Sequence, residues 1–251
     1  MTKFVLIICY NIEKGRTYRL GEGDHMDVTA MGKALSLSYD KALNGIAGMK
    51  GAEALAAEYM ATGDDLEKQV DALIRNQVIK CGASGFLTSL GGAITLPVAL
   101  PANVLSVLYM QLQMIAAIAH MSGYDLQSDR VRTLVIACLC GNQLKEVLKQ
   151  AGIKVGTTLT AKAIQRLSAV LFNRINRTVT MRLLSRFGTK SAINLGKAIP
   201  LVGGLIGGGF DACSTQIIGD KAKEMFILEA RSMENGEVAV EVINVSRDEE
   251  E

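Results

Sequence analysis

Tryptophan is absent from the 251 residues, and histidine (two) and proline (three) are scarce. So few histidines leave little material for a general base or a metal site. His120 closes an apolar run and reads as a satisfied core or helix-end histidine, and no group of residues falls at metal-ligand spacing. The five cysteines form no C-x-x-C pair. Cys138 and Cys140, two apart, belong on different helix faces, and all five are expected as small buried or free thiols of a reducing compartment. Aromatics are few and no base-reading motif occurs, which argues against nucleic acid as a partner. The glycines after Pro200 do not make a phosphate loop, because no Lys-Ser/Thr follows them and no strand pattern precedes them. The sequence therefore assigns no catalytic residue, no cofactor and no metal, and the expectation is a protein that is not an enzyme.

The absence that matters most is of charge. No Asp, Glu, Lys or Arg occurs between Lys80 and Asp125. Pro97 and Pro101 lack backbone N–H groups and suit a helix start, not an interior. They divide the stretch into a Gly-rich helix or hairpin arm over 82–95 and a helix running to about Met121. From Val104 to Ala119 the apolar residues go almost all round, as in a core helix or a membrane span. A span needs roughly 20 apolar residues. Pro101–Met121 barely reaches that and carries Asn103, Ser106, Gln111, Gln113 and His120, so a buried or surface-inserted helix is the expectation. Gln111 and Gln113 point to different faces. Gly123 suits a left-handed helix cap, and Asp125 or Ser128 caps the next helix.

The flanking segments read as helices. Leu35, Leu37, Tyr39, Ala42, Leu43 and Ile46 keep a helical period from Val28, interrupted at Gly45, Gly48 and Gly51. Glu53–Met60 is a short helix. Asp64 or Asp65 starts another, with Leu66, Val70, Leu73, Ile74 and Val78 on one face. A helix with Gly141 inside it follows Asp125 and ends near Gly152. Thr157–Phe187 is helical, with a break at Asn173–Asn176. After Pro200 a helix continues to about Arg231. Gly204, Gly208 and Ala212 share one of its faces, as do Gly203 and Gly207, a spacing that lets helices approach closely. Asp211 follows the glycines, and as a buried carboxylate it needs a partner.

Charge is uneven. Eleven basic residues lie between Lys145 and Lys197 against one acid, Glu146. Lys154, Lys162, Arg166, Arg174, Arg177, Arg182, Arg186 and Lys190 are the expected contacts to an anionic membrane surface, where each cation contributes about 1 kcal/mol. Residues 1–25 read as a leader, untranslated or disordered, with Met26 as the expected true start. Residues 26–232 form one helical domain, and 233–251 an acidic flexible tail that screens the basic region.

Two stretches together resemble the EcsC family of bacterial helical proteins: Gly85-Phe86 through Pro97 and Pro101 to Gly123-Tyr124-Asp125, and Ile199-Pro200-Leu-Val-Gly203-Gly204 through Ala222 and Phe226. The family often has Asp between the two prolines, where this chain has Val98-Ala99-Leu100, and Asn where it has Asp211. The resemblance implies no activity. It implies a cytoplasmic or membrane-associated helical protein, at the inner face of the membrane, linked to transport or secretion, with a membrane transporter or another protein as partner. The expected fold is all-α, a single helical domain with two Gly/Pro-rich hairpins as its apolar centre. The expected function is binding to anionic membrane lipids through 145–197, with apolar insertion from 85–105 and 199–210. The alternative is a soluble lipid-binding or protein-interaction module whose apolar stretches are internal.

Overall fold

The computed structural model describes residues 28–46, 48–82, 102–151, 169–187 and 200–234. The expected leader, the arm at 82–95 beyond Gly82, Pro97, Pro101, Lys154, Lys162, Arg166, Lys190 and the tail from 235 on lie outside them. Eight α-helices are described: α1 (Val28–Asn44), α2 (Ala52–Met60), α3 (Leu66–Gly82), α4 (Ala102–Met121), α5 (Asp129–Cys138), α6 (Leu144–Gln150), α7 (Ala169–Phe187) and α8 (Pro200–Glu234). The only pairing of the β type among the described residues is an isolated bridge between Ile46 and Met49. The all-α expectation is met.

The uncharged helix is the centre. α4 packs against α1, α2, α3, α5 and α8. Every residue from Ser106 to Ala119 is buried, Leu112, Met114, Ile115 and Ile118 completely. An all-round apolar helix has no face to give to water, so five neighbours cover it. It ends as its sequence demands. Gly123 has φ +80°, its N–H donates to His120 O at 2.9 Å, and the Tyr124 N–H donates to Ala119 O at 3.1 Å, the paired bonds of a Schellman cap. Tyr124 then sets its ring edge against Phe226 of α8, with centroids 5.2 Å apart.

The other boundaries follow local chemistry. Gly45 (φ +80°) and Gly48 (φ +81°) turn the chain between α1 and α2. A Cβ on Gly45 would stand 2.6 Å from Met49 O. Asp65 starts α3 by accepting from the N–H groups of Glu67 (3.1 Å) and Lys68 (3.2 Å). Ser128 occupies the N-cap position of α5 without a side-chain cap bond, while Asp125 accepts from the Gln127 N–H at 2.9 Å, closing the turn before it.

Two expectations need correction. Gly141 is not inside a helix. It has φ +54° and opens a 3-10 turn, Gly141–Gln143, that separates α5 from α6. A side chain there would stand 3.1 Å from Ile217 of α8, so α8 crosses where glycine leaves room. Asn173–Asn176 is not a break, and α7 runs through it, because Leu171, Ile175 and Val179 are buried on one continuous face. The low helix propensity of asparagine is a weak preference that such packing overrides.

Candidate functional site

α7 carries the most distinctive described surface. Its buried face, Leu171, Ile175, Val179 and Leu183, packs toward α5, α1 and α6. On the opposite face Val170 is 60% exposed and Met181 47% exposed, and Arg174 and Arg177 between them are exposed. Positions 170, 174, 177 and 181 fall within one narrow sector at i, i+4, i+7 and i+11. They form a single outward stripe of two apolar and two cationic side chains. No acid occurs in the sequence between Glu146 and Asp211, so no carboxylate of this segment neutralises the stripe.

The expected contact residues divide. Arg174 and Arg177 lie on the stripe. Arg182 does not: it is half-buried and turned toward α6, donating through Nη1 to Gln143 Oε1 and through Nη2 to Gln150 Oε1 at 3.2 Å. It ties α7 to the turn and helix after Gly141. The side chain of Arg186 lies outside the described residues. Val170 and Met181 were absent from the sequence assignment. The i, i+4, i+7, i+11 spacing of two apolar residues around two arginines was the signal that could have found them.

A second constellation is internal. Gln77, Gln111 and Gln113 are buried on α3 and α4, with Ser214 and Thr215 buried on α8. Gln111 Nε2 donates to Ser214 Oγ (3.3 Å) and Thr215 Oγ1 (3.1 Å). Gln113 Nε2 donates to Lys50 O and to the Tyr109 hydroxyl, and Gln77 Nε2 donates to Gln113 Oε1 at 3.5 Å. The two α4 glutamines do serve different faces, α8 on one side and the turn before α2 with α3 on the other. Gln77 Oε1 and Gln111 Oε1 accept nothing. Cys81 is buried beside Thr215, and burial pushes its thiol up to about 11. Asp211 is half-buried, and its charge acts on Cys81 in the same direction.

His120 is half-buried at the end of α4. Pro200 opens α8 as expected. Gly203, Gly204, Gly207 and Gly208 lie in that helix, but their surroundings are outside what is described. Ala212 is half-buried. The close approach is found further along, at Gly219, where a Cβ would stand 2.7 Å from Ile74 Cγ2 of α3. Cys81, Cys138 and Cys140 are thiols outside any disulfide, whereas Cys213 is disulfide-bonded, which departs from the expectation of five thiols. Among the described residues no group of three or more His, Cys, Asp and Glu could hold a metal.

A helical domain wrapped round one uncharged central helix, with an arginine stripe on its surface, is the class this architecture defines. Within that class the chain belongs to the EcsC protein family, whose profile matches residues 29–228. No curated protein and no solved structure matches the chain at a significant level.

Proposed function

We propose that this is a non-enzymatic protein that binds anionic membrane surfaces reversibly from the cytoplasmic side, through the outward stripe of α7. The observation that carries the reading is the stripe itself: Val170, Arg174, Arg177 and Met181, exposed together on a helix whose opposite face is core. Two arginines near an acidic leaflet contribute about 2 kcal/mol. Partial burial of the valine and methionine adds about 2 kcal/mol more. The total corresponds to roughly millimolar affinity, so the stripe gives a labile contact that a second signal strengthens. The uncharged stretch supports core packing over insertion from Ser106 on, since α4 is covered by protein there. Among the described residues no helix is long and apolar enough to cross a membrane.

The test is co-flotation of the full chain with phosphatidylcholine vesicles and with vesicles containing phosphatidylglycerol, at low and high salt. Binding is expected with the anionic vesicles only, weakened by salt and lost in the double variant Arg174→Gln/Arg177→Gln. Equal flotation with both vesicle types, or none with either, overturns the reading.

A further inference from the structure

The flank of α7 next to the stripe closes a cavity of about 490 Å³ with α1 and α5. That volume is within the roughly 300–1,000 Å³ of ligand pockets. Its wall is half apolar, from Leu35, Ile136 and Phe172, and half polar. The polar half contains opposite charges that do not neutralise each other. Arg132 is held by three neighbours, all short of saturating it. Its Nη2 donates to Ser36 Oγ at 2.7 Å and Ser36 O at 3.3 Å and pairs with Asp40 Oδ1 at 3.2 Å, while its guanidinium lies 4.9 Å over the Tyr39 ring. Tyr39 is fixed in turn by donating to Leu126 O at 2.8 Å. Nη1 and Nε remain available on a side chain whose direction is already set. Asp129 lines the same cavity one turn earlier on α5, exposed. It pairs with neither Arg132 nor any other described cation. The side-chain amides of Asn173 and Asn176 complete the polar side.

A guanidinium with two open donors suits a phosphate oxygen. A free carboxylate about one helical turn away suits an ammonium. We propose that this cavity binds a phosphate–ammonium zwitterion of the phosphoethanolamine type, Arg132 taking the phosphate and Asp129 the ammonium. The apolar half of the wall and the adjacent membrane stripe make a lipid headgroup the favoured source over a free soluble ester. The inference uses the membrane reading only for that choice of source.

The experiment keeps the phosphatidylglycerol content of the vesicles fixed and replaces phosphatidylcholine stepwise by phosphatidylethanolamine, with the full-length protein. In parallel, calorimetry titrates the protein with soluble glycerophosphoethanolamine. The expected result is a several-fold rise in flotation with phosphatidylethanolamine that disappears in Asp129→Asn, whose baseline binding and thermal melt stay unchanged. Arg132→Lys weakens both readouts, its melt being checked because Arg132 also braces α1. Calorimetric binding that Asp129→Asn abolishes, without any vesicle gain, supports the site with the free ester as source. A gain that persists in Asp129→Asn is a bilayer-packing effect and overturns the proposal, as does the absence of both vesicle gain and calorimetric signal. The double variant Arg174→Gln/Arg177→Gln is expected to lose anion-dependent flotation and keep the calorimetric signal, so failure of the stripe and failure of the cavity are distinguishable.

Discussion

α4 and α7 are nearly the same length, 20 and 19 residues, and they make opposite use of their sequences. α4 has no acidic or basic side chain except His120 and is covered on all sides from Ser106 to Ala119. α7 contains four arginines and leaves a stripe of two arginines with valine and methionine uncovered. By composition alone, α4 is the helix suited to lipid. By what is left uncovered, α7 is. Apolar content sets how strongly a helix must be buried, and the neighbours decide whether protein supplies the burial. α4 has five such neighbours, and they satisfy even its glutamines on two faces, apart from one carbonyl.

The largest expected effect comes from placing the same charge on each helix. Ile115→Asp buries an unpaired carboxylate at a position with no solvent exposure and is expected to cost more than about 4 kcal/mol, leaving little folded protein by circular dichroism. Met181→Asp is expected to shift stability by no more than about 0.5 kcal/mol while removing flotation with anionic vesicles. If the two variants behave alike in the melt, the contrast between the helices is wrong.

The next effect tests how α8 reaches the centre. Gly219→Val puts atoms where Ile74 Cγ2 already stands, and overpacking of that kind costs about 1–3 kcal/mol. The shift should be read from urea unfolding. A companion change, Ile74→Ala in the same background, should recover part of it, because the clash is with that side chain.

Much of this architecture is legible in the sequence where the signal is local. The charge gap, the glycine at 123 and the aspartate at 65 locate α4 and the start of α3, because caps and periodicity act within a few residues. What is not legible depends on distant partners. Gly141 breaks the chain where α8 passes over it, and nothing near residue 141 announces Ile217. Gln111 finds its hydroxyls about a hundred positions away, on Ser214 and Thr215. Arg182 reads as a surface cation until Gln143 and Gln150 are brought beside it. The site divides in the same way. The arginines were visible as charge, but which of them face outward was a matter of packing.

Alkaline pH examines the buried side of the comparison. Burial pushes Tyr109 up to about 12 and raises Tyr39 further in the same direction, because a phenolate is poorly solvated there. A raised folded value means the contribution to stability is full below the unfolded tyrosine value near 10 and is lost as pH rises through the folded one. Stability measured by urea is therefore expected to fall between about pH 10 and 12, and less steeply in Tyr109→Phe. An unchanged slope in that variant would mean that Tyr109 is not shielded in solution.

The smallest effect concerns charges that the molecule keeps for itself. Glu224 on α8 pairs with Lys145 on α6 at 2.8 Å and with Lys221 on its own helix, and those hydrogen bonds hold its carboxyl below the ordinary value of 4.5. A lowered folded value gives stability that is present above pH 4.5 and is lost as pH falls through it. The carboxylate is 39% exposed, so solvent screening limits the pair to well under about 1 kcal/mol. Glu224→Gln should lower stability slightly at pH 7 and not at pH 3. Lys145 lies at the start of the basic segment and is neutralised by α8, whereas Arg174 and Arg177 meet no described acid. The same substitution at Lys145 should therefore leave vesicle flotation unchanged, where at the two arginines it removes it. If Lys145→Gln reduces flotation as much as Arg174→Gln, total charge and not the stripe governs binding.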